Sequence, residues 1–258
     1  MNKKDSQILE IKKIYPNTKD IFKLDVAAGN VHDIYVAITQ NEDKFICRFS
    51  PKNTAIHNIY VSKLLTSYNI NVPRVSLHKS GQGYCETYPF IEGKTFYERI
   101  NEGISKEKQA HIYMQMFNLA CKISKIPYNC KVRPSVCLTC KISGAFFNHL
   151  NLSDFVLCHT DMHAKNVILD AQDNLFAIID LDAIFPDYIA FSLINLIRDA
   201  KTHGCDTTEI IKLCEEQYIL PKFMDIETQS KIYSKMKSVI ISMLGDKMVK
   251  QILKIRVR

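Results

Sequence analysis

Tryptophan is absent from this chain of 258 residues, and glycine and proline number only eight each. So little of either excludes collagen-like and linker-type sequences, and no low-complexity tract interrupts the chain. No apolar run approaches the roughly 18 residues that a membrane span needs, and the opening segment MNKKDSQILEIKK lacks the apolar block of a secretion signal. A cytoplasmic protein is therefore expected. An even set of cysteines is also lacking: there are nine, spread along the chain, which excludes a complete disulfide framework and points to reduced thiols.

What is present is ordinary globular material, 47% hydrophobic and 24% charged, long enough to bury a sizeable core. The net charge of +7 would suggest a nucleic-acid partner if it were spread over the molecule. It is not: Lys231 to Arg258 hold eight basic residues and one acid, Asp246, while the other 26 basic and 26 acidic residues cancel. In that terminal stretch Ile232, Met236, Val239, Ile240 and Met243 recur at helical spacing with lysines between them, the pattern of a helix with one solvated face. Neither nucleic acid nor a membrane span is expected.

The first hundred residues carry β-branched and aromatic runs separated by turn residues. IFKLDVAAG, HDIYVAIT and KFICRFS predict three successive strands, a helix follows over about 54–68, and VSLHKSGQGYCETYPFI predicts a hairpin bending at Gly81 and Gly83. The reading is five strands and one helix. Beyond Gly93 the periodicity turns helical, with Ser105 as N-cap and Ile112, Met116, Leu119 and Ile123 on one face. Three short apolar runs, FVLCH, NVILD and LFAIID, interrupt the helices and bracket a polar segment.

That segment, residues 156–182, reads VLCHTDMHAKNVILDAQDNLFAIIDLD and contains His159-x-Asp161-x-x-x-x-Asn166 followed by Asp180. These residue types suit phosphoryl transfer, in which the protein mainly positions the reactants and neutralises charge. A carboxylate must take the proton of the acceptor hydroxyl, while an amide and a second carboxylate offer hard oxygen ligands to magnesium. Asp161, Asn166 and Asp180 fit these roles in order.

The segment resembles the His-x-Asp-x-x-x-x-Asn and Ile-Asp motifs of the aminoglycoside phosphotransferase and choline kinase superfamily, distant relatives of protein kinases. The resemblance implies an α+β, bilobal protein-kinase-like fold. Its small β-rich N-terminal lobe would span residues 1–91 and bind nucleotide; its larger helical C-terminal lobe, 92–258, would carry the catalytic loop and the acceptor site. It further implies Asp161 as catalytic base, Asn166 and Asp180 as magnesium ligands, and His159 as a support for the loop backbone. ATP and Mg²⁺ would be the cofactors, with GTP left open as donor, and a small-molecule hydroxyl the acceptor.

Other positions extend the likeness. Gly29 and Asn30 lie in the turn AGNVHD between the first two strands, where backbone N–H groups would cover the phosphates. Arg48 in FICRFS stands where relatives carry a cation for the ATP phosphates. Relatives pair that cation with a glutamate on the next helix; this chain has Asn58, which can orient Arg48 only through a neutral hydrogen bond. ETYPFIEG resembles the hinge that holds adenine, with the Pro89 carbonyl and the Ile91 N–H toward the base.

The stretch IDLDAIFPDYIAFSLINLIRDA is similar to its counterpart in N-acetylhexosamine kinases, which implies a sugar or amino-sugar acceptor. Two acids expected there are replaced by Ser192 and Asn195, where an acceptor would be held, and the chain ends before those sugar kinases do. A nucleotide-binding pseudokinase or regulator and an aminoglycoside phosphotransferase are therefore carried as alternatives. Cys137-x-x-Cys140, with Cys121, Cys130 and His149 around it, supplies one close pair where structural zinc wants two, so free thiols are expected.

Overall fold

The computed structural model describes residues 2–24, 33–81, 83–129, 156–187 and 189–216. The Cys137-x-x-Cys140 motif, the basic C-terminal segment, and Gly29 with Asn30 lie outside them. Helix α1 (Lys3–Ile14) opens the chain, its first turn closed by the Asn2 side chain accepting the Asp5 N–H at 2.9 Å. This helix corrects the expectation of one helix among the first strands. Its signal was Asn2 ahead of the helix and Lys12 and Lys13 in the last turn, where they complement the helix dipole.

Strands β1 (Thr18–Lys23), β2 (Asp33–Thr39), β3 (Lys44–Ser50), β4 (Ser76–Ser80) and β5 (Gly83–Pro89) form one antiparallel sheet in the order β1-β2-β3-β5-β4. Side chains alternate between its two faces. Tyr35, Ala37, Cys47 and Cys85 pack with Ile11 of α1 on one face. Arg48 and Glu86, one residue out of step with Cys47 and Cys85, therefore belong to the other face, together with Ile46 and Tyr88. Helix α2 (Lys52–Ser67) follows β3 and buries Thr54, Asn58, Val61 and Leu65 at helical spacing.

Past the sheet the chain passes Gly93, which has φ +138. A Cβ there would stand 2.5 Å from the Leu169 carbonyl oxygen and 2.8 Å from Ile168 Cγ2, so glycine is required by both backbone and space. The close approach lets β6 (Lys94–Thr95) pair with β8 (Val167–Leu169), which pairs in turn with β9 (Leu175–Ile178). Helix α3 (Phe96–Asn101) begins at a capping box in which Thr95 and Glu98 each take the other's backbone N–H.

Helix α4 (Lys106–Ser124), capped by Ser105 as expected, buries Ile112, Met116 and Ile123. It packs with α5 (Ile189–Thr202), whose Leu193, Leu196, Ile197 and Ala200 belong to the same core as Val61 and Leu65 of α2. Helix α6 (Thr208–Glu216) adds Ile210 and Cys214. Strand β7 (Val156–His159) pairs with β10 (Ile184–Asp187). Among the described residues no helix is long and apolar enough to cross a membrane.

Candidate active site

Strand β7 ends at His159, and a loop closed by a 3₁₀ turn (Ala164–Asn166) leads into β8. His159 is fully buried, and its Nε2 donates to the Ile179 carbonyl at 2.9 Å, one residue before Asp180. That acceptor fixes the proton on Nε2, and burial holds the ring's pKa below its ordinary value, so the imidazole is neutral. His159 thus ties the Asp161 loop to the segment after β9 that carries Asp180.

Asn166 makes the same connection from the other side. Its side-chain amide donates to the Asp161 carbonyl at 2.9 Å, and its own carbonyl accepts the Ile179 N–H at 3.0 Å. Asp161 by contrast presents a carboxylate that is 51% exposed. His163 orients it. The His163 Nδ1 accepts the Lys165 N–H at 3.2 Å, which leaves Nε2 as the protonated nitrogen, and Nε2 donates to Asp161 Oδ2 at 3.2 Å. Sequence reasoning passed over His163; the available signal was a histidine two residues after the aspartate in a loop short enough to fold back.

Asp180 sits in the left-handed region, at φ 65 and ψ 61. Burial pushes its carboxyl well above the usual range, and the neighbouring Asp182 carboxylate, to which it hydrogen-bonds, adds to the effect. Asp182 goes the other way. Burial would raise it too, but the Arg48 guanidinium grips it with a fork, Nη1 to Oδ1 at 2.8 Å and Nη2 to Oδ2 at 2.6 Å, and holds it well below the carboxylate range. Of the two acids, Asp180 is therefore the one that takes up a proton more readily.

The structure brings Arg48, Asp161, Asn166 and Asp180 into one neighbourhood, with the Asp161 charge felt at Asp180 and the Arg48 charge felt at both Asp180 and Asp182. Arg48 stands among Asp180, Asp182 and Glu86, an acidic set whose charge a divalent ion would relieve. Among the described residues no cluster of three or more His, Cys, Asp or Glu side chains forms a metal site. Pro89 ends β5 opposite Phe45, and the Phe90 N–H donates to the Lys44 carbonyl at 2.8 Å. Alternation along the strand turns the Pro89 carbonyl away from β3.

Two expectations are corrected. Asn58 does not bond Arg48: its amide donates to Glu86 Oε2 at 2.8 Å, and the fork of Arg48 is taken by Asp182. Ser192 and Asn195 do not point to an acceptor. Ser192 Oγ donates to the His159 carbonyl at 2.7 Å and Asn195 Nδ2 to the Thr160 carbonyl at 2.6 Å. With Asp199, which accepts the Ala164 N–H at 2.8 Å, they form one stripe of α5 that grips the backbone of the Asp161 loop.

No family model matches the sequence, and comparison with curated proteins found no match. Comparison with solved structures did. An aminoglycoside phosphotransferase, APH(4)-Ia, superposes with a TM-score of 0.64 at 11% identity over 97% of this chain and 94% of its own. Spectinomycin phosphotransferase, in complex with ADP and spectinomycin, gives 0.58 at 15% identity over 91% and 84%. The streptomycin and ATP ternary complex of APH(2")-IIa gives 0.57 at 16% identity over 97% and 96%. At such identities the likeness is one of fold, and the chain carries the protein-kinase-like fold of the aminoglycoside phosphotransferases.

Proposed function

We propose that this protein is an ATP- and magnesium-dependent phosphotransferase that moves the γ-phosphoryl group to a hydroxyl of a small molecule, with a sugar or amino-sugar ring as acceptor. One observation carries the reading: the exposed Asp161 carboxylate stands on a loop bound through Asn166 and His159 to the segment of Asp180, whose carboxyl feels both Asp161 and the cation Arg48. A base, two hard oxygen donors and a phosphate-seeking guanidinium are the parts that phosphoryl transfer requires.

In this reading Asp161 accepts the proton of the attacking hydroxyl while His163 keeps its carboxylate in line. Asn166 and Asp180 would hold magnesium, which would supply positive charge to neutralise the phosphates. Arg48 reaches the phosphates from residues 1–91, the nucleotide lobe, and the Pro89 carbonyl and Ile91 N–H accept and donate at the base edge. The acceptor binds on the side of residues 92–258. That related folds were captured with ADP and spectinomycin, or with ATP and streptomycin, supports a nucleotide donor and a hydroxylated ring acceptor. Aminoglycosides fall within this class and form its second member. The regulator alternative draws on the Arg48 fork being engaged by Asp182, but it leaves the exposed and oriented Asp161 without a task.

The test is a screen of sugars, amino sugars, aminoglycosides and choline for ATP consumption, with and without magnesium. Asp161→Ala serves as control and should abolish transfer while nucleotide still binds. Turnover retained by Asp161→Ala would sink the assignment, and no turnover with any acceptor would favour the regulator.

A further inference from the structure

Arg48 and Glu86 face each other across β3 and β5 on the sheet face turned away from α1. Cross-strand neighbours have Cβ atoms about 5 Å apart. Both are nearly sealed from water, at 6% and 1% exposure. Four buried polar atoms there lack a hydrogen-bond partner: Arg48 Nε, a donor, Glu86 Oε1 and Asn58 Oδ1, both acceptors, and the Ser50 hydroxyl, which stands near enough to Glu86 to favour its ionised form. The remaining Glu86 oxygen is held by the Asn58 amide. A carboxylate this buried is costly unless a cation stands beside it, and Arg48 is that cation.

We infer that Glu86 is the residue that positions Arg48 for contact with a nucleotide phosphate, and that Asn58 tethers Glu86 to α2. The acid that the sequence likeness expects on α2 has moved to β5, and the helix reaches Arg48 through it. The inference rests on the phosphotransferase reading, because it concerns the state in which a phosphate oxygen takes the Arg48 fork. A phosphate bound there displaces Asp182 from at least one terminal nitrogen. Glu86, on the opposing strand and fixed by Asn58, then holds the guanidinium in place.

The experiment titrates the full chain with a fluorescent ADP in the presence of magnesium and follows thermal unfolding of each variant. Glu86→Gln should weaken nucleotide binding about tenfold, as loss of a charge-assisted partner does. The double variant Asn58→Glu/Glu86→Gln, which returns the carboxylate to α2, should restore affinity to within about threefold of the parent, a rescue that a merely structural Glu86 would not show. Parent-like affinity in Glu86→Gln, or a folded double variant no tighter than the single one, overturns the inference. Should the parent bind no nucleotide, the phosphotransferase reading falls. A double-mutant cycle of Arg48→Met and Glu86→Gln on the unfolding midpoint then decides the pairing, and strict additivity overturns it.

Discussion

Asp199 receives the Ala164 backbone N–H at 2.8 Å on the same carboxylate oxygen that receives the Tyr113 hydroxyl at 2.9 Å. One acid on α5 thereby joins α4 to the loop of the candidate base. Asp199→Ala leaves both donors without this acceptor and should cost about 2 kcal/mol of stability, measured by urea unfolding. Asp199→Asn, which keeps an acceptor oxygen, should lose less; equal losses would show that hydrogen bonding there is incidental.

Ser192 and Asn195 grip the carbonyls of His159 and Thr160. Replacing both with alanine should lower kcat about tenfold while leaving the acceptor KM near the parent value, because placement of the loop and not acceptor affinity is disturbed. A raised acceptor KM with kcat intact would return these residues to the acceptor site.

His163 donates to Asp161 through Nε2, and the Asn166 amide nitrogen stands 3.4 Å from the same atom. His163→Ala should lower kcat by about tenfold with nucleotide affinity unchanged, since orientation of the base is lost while Asn166 keeps its 2.9 Å bond to the Asp161 carbonyl. A weakened nucleotide would assign His163 to binding.

Gly93→Ala tests the junction ahead of β6. With φ +138 and the Leu169 carbonyl oxygen 2.5 Å from the new Cβ, backbone and space both oppose the change. A loss of about 2–4 kcal/mol is expected, read as a fall in Tm. An unchanged Tm would mean that the β6–β8 pairing yields without cost.

The elements that sequence exposed best are those whose partners are near in the chain. The loop from His159 to Asn166 was legible because its spacing is itself the geometry, and α4 because Ser105 caps a strong apolar period. Arg48 was legible as a cation on a strand, but its acids were not: Asp182 lies 134 residues away and Glu86 sits across a strand register that no local pattern encodes. Ser192 and Asn195 were misread for a related reason. Read as substitutions for acids, they suggest a lost ligand; in the fold they donate to carbonyls of the loop, a task in which a neutral hydroxyl or amide serves and an ionised acid cannot. Helix α1 escaped notice because it is polar overall, with only Ile11 among its apolar residues fully buried.

The left-handed backbone at Asp180 narrows what the position can hold. Branched and bulky side chains are disfavoured there, glycine would surrender the carboxylate, asparagine would keep the shape but not the charge, and glutamate would carry the charge on a longer arm with less tolerance for the conformation. Shape and charge thus reduce the alphabet at this site to a single letter. Random variation that spares the activity should therefore leave Asp180 untouched even where the surrounding chain has drifted.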